Sequence, residues 1–333
     1  MRTTLTVALP VVLLCACSSS GGDDTPSDDA GDDGSVIDGA GDDVRSDLDA
    51  DAASDTAKGD AGGTDSSASD APADVVTDAP TDSGTLASTG CGKAAASGVT
   101  TPTITVAGTG RTYVLSVPTG YDPKKPYPLV FAWHGRTDNG ANMRSFSGVE
   151  PASGGKAIFV YPNGLTVTPS DPKDTGWELT AKGRDVALFD ALVADLSGKL
   201  CVDGKKVFSF GFSFGGYMSN ALGCFRGTSL RAIAPVAGGP STSGCTGAVA
   251  AWLEHATDDP TVNISEGTKS RDFWIKQSGC DAAKTTPVAP DPCISYGSCG
   301  AAAPVTWCQR ATGGHSWPSF AGKAIWDFFA ALP

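Results

Sequence analysis

Between residues 103 and 333, short apolar runs of strand length alternate with segments that carry a helical pattern of apolar residues. The clearest helical segment is 185–200, where an apolar stripe recurs at intervals of three and four residues: Val186, Phe189, Val193, Leu196 and Leu200. Strands that alternate with helices form a mostly parallel sheet, and such a sheet is covered by helices on both faces. The sequence therefore predicts an α/β fold.

An antiparallel hairpin is expected to open this fold, with strands at 103–106 and 112–117 on either side of Gly108 and Gly110. The later strands are expected at 129–133, 157–161, 207–212, 232–236, 250–254 and 305–308. The other helices are expected at 214–224, 268–277 and 321–330. Residues 91–333 are numerous enough for one large core.

Residues 1–17 are predicted to be an export signal, with Arg2 followed by an apolar run at 5–14. That run is too short to span a bilayer, which takes roughly 20 apolar residues. Leu14-Cys15-Ala16-Cys17 resembles a bacterial lipobox, which implies a lipid on Cys17 and a protein anchored to the cell envelope. The alternative is an ordinary signal peptide and an extracellular protein.

Residues 18–90 are predicted to be a disordered Asp-rich linker, since they lack the large apolar side chains that would offset the entropy of ordering. Nineteen aspartates and only two basic residues lie between 21 and 90. From residue 91 onward there are 18 acidic and 21 basic residues, so the acidity belongs to the linker. This balance excludes a strongly basic nucleic-acid binder, and the aspartates lack the fixed spacing of a calcium loop.

Cysteines in the segment 91–333 are even in number, as expected for disulfides in an exported domain. They are Cys91, Cys201, Cys224, Cys245, Cys280, Cys293, Cys299 and Cys308. The last four lie close together in sequence and are expected to pair among themselves, while Cys91 is expected to secure the start of the fold. No pair has the spacing of a zinc site, so no metal is expected.

Gly211-Phe212-Ser213-Phe214-Gly215 is a G-x-S-x-G motif between an expected strand and an expected helix. That setting is typical of a nucleophile elbow, where a serine lies on a strained turn at the start of a helix. The free N–H groups of the helix start can stabilise a negative charge that develops on the substrate. Ser213 is therefore the candidate nucleophile.

A serine nucleophile needs a base, and His315 is the histidine that follows Ser213 with an acid between them, the order of an α/β hydrolase. His255 is expected to be structural. The acid is Asp258 or Asp259, which the residues alone do not separate. His134-Gly135 resembles the oxyanion loop of α/β hydrolases, which implies the N–H groups of Arg136 and Phe214 as donors.

Six motifs together resemble one family: 90–93, 111–118, 134–135, 211–216, 255–262 and 313–318. They are similar to the secreted feruloyl esterases of carbohydrate esterase family 1, which merge with polyhydroxybutyrate depolymerase-like esterases. The resemblance covers nearly all of 90–333 and implies an α/β-hydrolase fold, no cofactor, and a triad of Ser213, Asp259 and His315. Ala256 stands where the family has Gly.

The resemblance implies a carboxylic ester hydrolase, first of all a feruloyl esterase acting on plant cell-wall xylan. A polyhydroxybutyrate depolymerase and an acetylxylan esterase are the enzymatic alternatives, and a catalytically silent polysaccharide-binding lipoprotein is the non-enzymatic one. Trp177, in the insertion 163–183, and Trp317, beside His315, are the candidate substrate-binding residues, although Trp177 can equally be a packing residue. A monomer is expected, with a lipid as its only membrane contact.

Overall fold

The computed structural model describes residues 86–300 and 303–333. The predicted export signal, the predicted lipidation site Cys17 and most of the predicted acidic linker lie outside the described residues. Within the described ranges, no helix has the length and apolar character needed to cross a bilayer.

A large sheet forms the centre of the fold. Its strands are β1 Gly98–Thr100, β2 Thr103–Val106, β3 Thr109–Val117, β4 Tyr127–Trp133, β5 Ile158–Pro162, β8 Val202–Phe212, β9 Ala232–Val236, β10 Ala250–Ala256, β11 Asp281–Pro287, β12 Cys293–Gly297 and β13 Val305–Arg310. They lie in the order β1-β3-β5-β4-β8-β9-β10-β13-β12-β11, with β2 paired to β3. The five central pairs, from β5 through β13, are parallel, and the pairs on both sides are antiparallel. The predicted parallel sheet and opening hairpin are confirmed.

Six helices are present in the described part of the chain, and they cover both faces of the sheet. They are α1 Gly140–Ser147, α2 Val149–Ala152, α3 Arg184–Lys199, α4 Phe214–Phe225, α5 Ile264–Gln277 and α6 Ala321–Ala330. Apolar residues of α3, α4 and α5 pack in one core cluster, and those of α1, α2 and α6 pack in another. Successive residues of β4 alternate between the two clusters, as the two-residue period of a strand requires.

The insertion after β5 forms a small sheet of its own, in which β6 Leu165–Thr166 pairs with β7 Thr175–Gly176. A buried ion pair fixes the end of this insertion, since Arg111 contacts Asp185 at 2.5 Å and the other Asp185 oxygen accepts the N–H of Glu178. The insertion is thus tied to β3 and to the first turn of α3.

The folded part begins earlier than residue 91. Ala87 forms an isolated β-bridge with Asp203, and the N–H of Ser88 donates to the carbonyl of Val202 at 3.0 Å. The N–H of Gly90 donates to Ser197 at 2.8 Å. Residues 86–90 are assigned to the linker from their composition. Composition does not reveal their order, because hydrogen bonds between backbone groups need no apolar side chains.

Four disulfides join all eight cysteines of the domain: Cys91–Cys201, Cys224–Cys245, Cys280–Cys299 and Cys293–Cys308. The predicted pairing among the last four cysteines is confirmed, and Cys91 secures the chain start to the residue before β8. Disulfides persist in oxidising surroundings outside the cytosol, so the folded part fits an extracellular location.

Candidate active site

Ser213 lies on the turn between β8 and α4, at the carboxyl end of a central parallel strand. Its backbone has φ 56° and ψ −120°, a strained conformation for a residue with a side chain. Gly215 lets α4 start directly against β4, because a Cβ at this position would overlap the carbonyl oxygen of Trp133. The G-x-S-x-G motif therefore forms a nucleophile elbow that presents the Ser213 hydroxyl above the sheet.

His315 follows β13 and reaches Ser213 across 102 residues of sequence. Its Nε2 lies 2.8 Å from Ser213 Oγ, and its Nδ1 lies 2.7 Å from Asp259 Oδ2. A carboxylate only accepts hydrogen bonds, so Nδ1 carries the proton and Nε2 is free to accept from the serine hydroxyl. The three side chains form a chain of hydrogen bonds from hydroxyl to imidazole to carboxylate.

Asp259 lies just after β10, held by the backbone of its own loop. Its Oδ1 accepts the N–H groups of Thr261 at 2.8 Å and Val262 at 2.9 Å. Burial acts to raise the pKa of Asp259, but the hydrogen bonds from His315, Val262 and Thr261 outweigh it, so the pKa is lowered. The carboxylate therefore stays ionised opposite the imidazole.

Asp258 has a different set of partners from Asp259. Its two carboxylate oxygens accept the N–H groups of Gly314 at 2.7 Å and Gly313 at 3.2 Å. Both glycines have positive φ, 126° for Gly313 and 58° for Gly314, which lets their N–H groups turn toward one carboxylate. Asp259 thus contacts the imidazole, and Asp258 contacts the loop that carries it.

Arg310 holds the loop that carries His315, because its guanidinium donates hydrogen bonds to backbone carbonyl groups of that loop. Its guanidinium donates to the carbonyl of Ser316 at 2.9 Å, and its Nε donates to buried Glu254 at 2.5 Å. Burial raises the pKa of Glu254 to about 7, although Arg310 acts in the opposite direction. These contacts were not part of the sequence prediction, since no motif marks them.

His255 is fully buried below this loop. Its Nε2 lies 2.8 Å from the carbonyl oxygen of Val262 and 3.4 Å from Asp259 Oδ2. Burial lowers the pKa of His255, so the ring is neutral. It stabilises the loop of Asp259, as expected for a structural histidine.

His134 and Gly135 lie beside Ser213, the candidate nucleophile, since a Cβ on Gly135 would be 3.6 Å from the Cβ of Ser213. His134 is buried, which lowers its pKa, and its Nε2 accepts the N–H of Gly164 at 2.9 Å. Nδ1 therefore carries the proton and donates to the carbonyl of Gly135 at 2.6 Å. The imidazole fixes the path of the chain that leads to Arg136.

The two residues expected to supply oxyanion donors are Arg136, which follows Gly135, and Phe214, which follows Ser213. Phe214 is the first residue of α4, so its N–H has no partner within the helix. The guanidinium of Arg136 is bound to the Asp174 carboxylate at 2.5 and 2.6 Å. The side chain of Arg136 is therefore held in an ion pair with Asp174. The roles of the backbone N–H groups of Phe214 and Arg136 as oxyanion donors stay predictions.

Trp177 is buried, which contradicts its expected role in substrate binding and supports the alternative of a packing residue. Its side chain is buried, with 2% of the residue exposed, and its Nε1 donates to the carbonyl of His134 at 2.9 Å. Its ring packs edge-on against Trp133, with the centroids 4.9 Å apart. Trp177 is a packing residue that supports the His134 loop.

Trp317 belongs to an aromatic cluster beside His315. The ring of Phe212 stacks on the imidazole with a centroid distance of 4.9 Å, and Trp317 packs edge-on against Phe212. Phe146 of α1 contacts the rings of both Phe212 and Trp317. The substrate-binding role of Trp317 stays a prediction. Phe146 and Phe212 were missed because Phe146 lies in no motif and Phe212 occupies a variable position of the G-x-S-x-G motif.

No group of three or more His, Cys, Asp or Glu side chains in residues 86–300 and 303–333 is arranged to hold a metal ion. The absence of a metal or organic cofactor stays a prediction.

Comparisons with known proteins add to this geometry, although no protein-family model matches the chain. Feruloyl esterase D of Neurospora crassa is 32% identical over 273 residues, which span 73% of this chain and 90% of the relative. Feruloyl esterase C of Emericella nidulans is 36% identical over 242 residues, which span 67% and 84%.

Among solved structures, acetyl xylan esterase from Aspergillus awamori superposes with a TM-score of 0.56. The match is 17% identical and covers 69% of this chain and 99% of that one, so it concerns the fold alone. It confirms the predicted α/β-hydrolase fold. Together with the identities and coverage of the curated relatives, these comparisons show that the chain belongs to the feruloyl esterase family.

Proposed function

We propose that this protein is a serine carboxylic ester hydrolase that releases hydroxycinnamates, such as ferulate, from plant cell-wall xylan. The observation that carries the proposal is the hydrogen-bonded chain of Ser213, His315 and Asp259 at the carboxyl edge of the sheet. The curated relatives favour ferulate over the polyhydroxybutyrate and acetylxylan alternatives. An assembled hydrolytic site also argues against a silent binding protein.

In the first half of the reaction, the Ser213 hydroxyl attacks the ester carbonyl while His315 Nε2 takes its proton. Asp259 holds the imidazole in the tautomer that can accept this proton and stabilises the imidazolium that results. The imidazolium then gives the proton to the alcohol oxygen of the sugar, which leaves. The acyl group remains on Ser213 as an ester.

In the second half, water attacks the acyl-enzyme and His315 again accepts a proton. Transfer of this proton from His315 to Ser213 Oγ releases the hydroxycinnamic acid and restores the serine hydroxyl. In both halves the N–H groups of Phe214 and Arg136 are the proposed donors to the tetrahedral oxyanion. Such donors are each worth roughly 10²- to 10³-fold in rate.

We further propose that the protein is exported as a monomer and anchored to the cell envelope by a lipid on Cys17, with residues 18–90 as a flexible tether. The sequence around Leu14-Cys15-Ala16-Cys17 supports export and the anchor, and the disulfides support export. Expression of a Cys17→Ser variant tests the anchor. The variant should leave the membrane fraction, and retention there would contradict the proposal.

The function is tested by assaying the purified full chain on methyl ferulate, short hydroxybutyrate oligomers and acetylated xylan. We expect ferulate ester to be hydrolysed with the highest kcat/KM, and Ser213→Ala to lower kcat by about 10⁶-fold. A higher kcat/KM for hydroxybutyrate or acetyl esters would contradict the proposal that ferulate esters are the substrate. Turnover that survives Ser213→Ala would overturn the mechanism.

A further inference from the structure

We infer that Phe146 is a specificity-determining residue whose exposed ring receives the aryl part of the acyl group. This inference rests on the proposed function, because it assigns a subsite of the same active site. It concerns a residue of α1 that is far in sequence from the three proposed triad residues.

Phe146 reaches the proposed base through a continuous set of rings. Its ring lies edge-on to Trp317 at a centroid distance of 5.9 Å and to Phe212 at 6.4 Å. Phe212 in turn stacks on the imidazole of His315 at 4.9 Å. A flat group that packs against Phe146 and Phe212 would therefore lie next to the reacting ester.

The position of α1 relative to this site is fixed by a direct hydrogen bond. The indole Nε1 of Trp317 donates to the carbonyl of Ser147, the residue after Phe146, at 3.1 Å. Ser147 is buried, and Met143 of the same helix packs in the core. Phe146 is thus held in place by its backbone while its side chain faces outward.

Exposure distinguishes Phe146 from the other rings of the cluster. In the part of the chain that the structure describes, three large apolar side chains are exposed: Leu86, Val99 and Phe146. Phe146 is 39% exposed and contacts the rings beside His315. An exposed aromatic side chain of this kind gains free energy only when another apolar group covers it.

The opposite side of Ser213 has a different chemical character. Phe212 and Trp317 pack with the core under α1 and α6, whereas Tyr217 lies on α4, which covers the other face of the sheet. The Tyr217 hydroxyl donates to Glu266 of α5 at 3.4 Å. The aromatic side chains near His315 are thus concentrated on the side of α1 and α6, which is the side that we assign to the aryl acyl group.

Aromatic rings attract one another in edge-to-face or offset geometry beyond the effect of buried area. A phenyl-propenoyl group has such a ring, whereas acetyl or propionyl groups do not. Loss of the Phe146 ring should therefore weaken the aryl ester specifically. The effect should fall mainly on KM, because the ring contact exists in both the bound substrate and the transition state.

The test compares methyl ferulate with methyl propionate, so that the alcohol is constant and only the acyl group changes. We expect Phe146→Ala to lower the ferulate-to-propionate ratio of kcat/KM about 10-fold, and Phe146→Tyr to keep it within about twofold. Val99→Ala, which removes another exposed apolar side chain, is the matched control and should leave the ratio unchanged. Thermal unfolding of each variant checks that the fold is retained.

A second pair of substrates, methyl ferulate and feruloyl arabinose, keeps the acyl group constant and varies the alcohol. An effect of Phe146→Ala that follows the alcohol, or an equal loss on all esters, would overturn the inference. An unchanged ratio would also overturn it. If the wild type hydrolyses propionate but not ferulate, the proposed function itself fails, which is a separate result.

Discussion

Asp258 and Asp259 are neighbours in sequence, yet their carboxylates act on different parts of the same loop. Asp259 accepts from the imidazole of His315, and Asp258 accepts from the backbone of Gly313 and Gly314. The first contact sets the tautomer of the ring, and the second sets where the ring is held. Substitutions at the two positions should therefore have different kinetic effects.

Asp259→Asn should lower kcat by about 10⁴-fold, because an amide can donate to Nδ1 and stabilise the tautomer that cannot accept from Ser213. The measurement is kcat and KM on an aryl ester across pH 5–9. Asp258→Asn is the matched control, with the same change of charge one residue away. A loss as large for Asp258→Asn as for Asp259→Asn would contradict the assignment.

Asp258→Ala should lower kcat by about 10- to 100-fold, because both N–H groups of the His315 loop lose their acceptor and the ring moves from its productive position. The pH dependence of kcat should keep its shape, since Asp259 still contacts the imidazole. Asp258→Asn retains one acceptor oxygen and should recover part of the loss. A wild-type kcat for Asp258→Ala would show that the loop keeps its place without this carboxylate.

The elements that were predictable from sequence are those buried on both faces or amphipathic. The runs 129–133, 232–236 and 250–254 are apolar, except for Glu254 at the end of the last one, because helices cover both sides, and they match β4, β9 and β10. β11 was missed because its side chains are mostly exposed and carry no apolar pattern. β6 and β7, with two residues each, give no periodicity to detect.

The site was predictable to the extent that local structure defines it. Ser213 was recognisable because a strand, a tight turn and a helix follow one another within a few residues. The choice between Asp258 and Asp259 depends on hydrogen bonds to a loop more than 50 residues away, which no local pattern encodes. Phe146 was missed for the same reason, since only packing brings α1 to His315.

Glu254 links β10 to the His315 loop through Arg310, and its ionisation should make stability depend on pH. Burial raises its pKa from 4.5 to about 7 in the folded protein, so the unfolded chain holds fewer protons between these values. The free energy of unfolding should fall as pH rises through this window, by about 3 kcal/mol from this group. Glu254→Gln should flatten that slope in chemical denaturation from pH 4.5 to 8.

Glu150 provides a control, because its effect on the free energy of unfolding should change with pH in the opposite direction. Burial acts to raise its pKa, but hydrogen bonds from Arg144, Ser116 and Tyr161 outweigh burial and lower it. Its contribution to the free energy of unfolding is therefore present above pH 4.5 and is lost on acidification. Glu150→Gln should thus destabilise the folded protein at neutral pH. If Glu254→Gln leaves the slope unchanged, the ionised form of Glu254 is not disfavoured by folding.

For the molecule as a whole, the disulfides divide the chain into loops of very different length. Cys91–Cys201 closes a loop over a separation of 110 residues, and Cys224–Cys245 closes one over 21. The other two disulfides overlap each other in sequence, but these two loops contain no other crosslink. Their effects on the unfolded chain should therefore be independent of the remaining bonds.

Replacing both cysteines of a pair by alanine should destabilise the protein more for Cys91–Cys201 than for Cys224–Cys245. Chain entropy gives a loss of about 4.7 kcal/mol for a loop of roughly 100 residues and about 3 kcal/mol for a short one. Chemical denaturation of the two double variants, compared with the wild type, measures the difference, which should be about 1.5 kcal/mol. Activity on an aryl ester in each variant is the control for an intact site. A larger loss for Cys224–Cys245 would mean that its contacts in the folded state outweigh the freedom it removes from the unfolded chain.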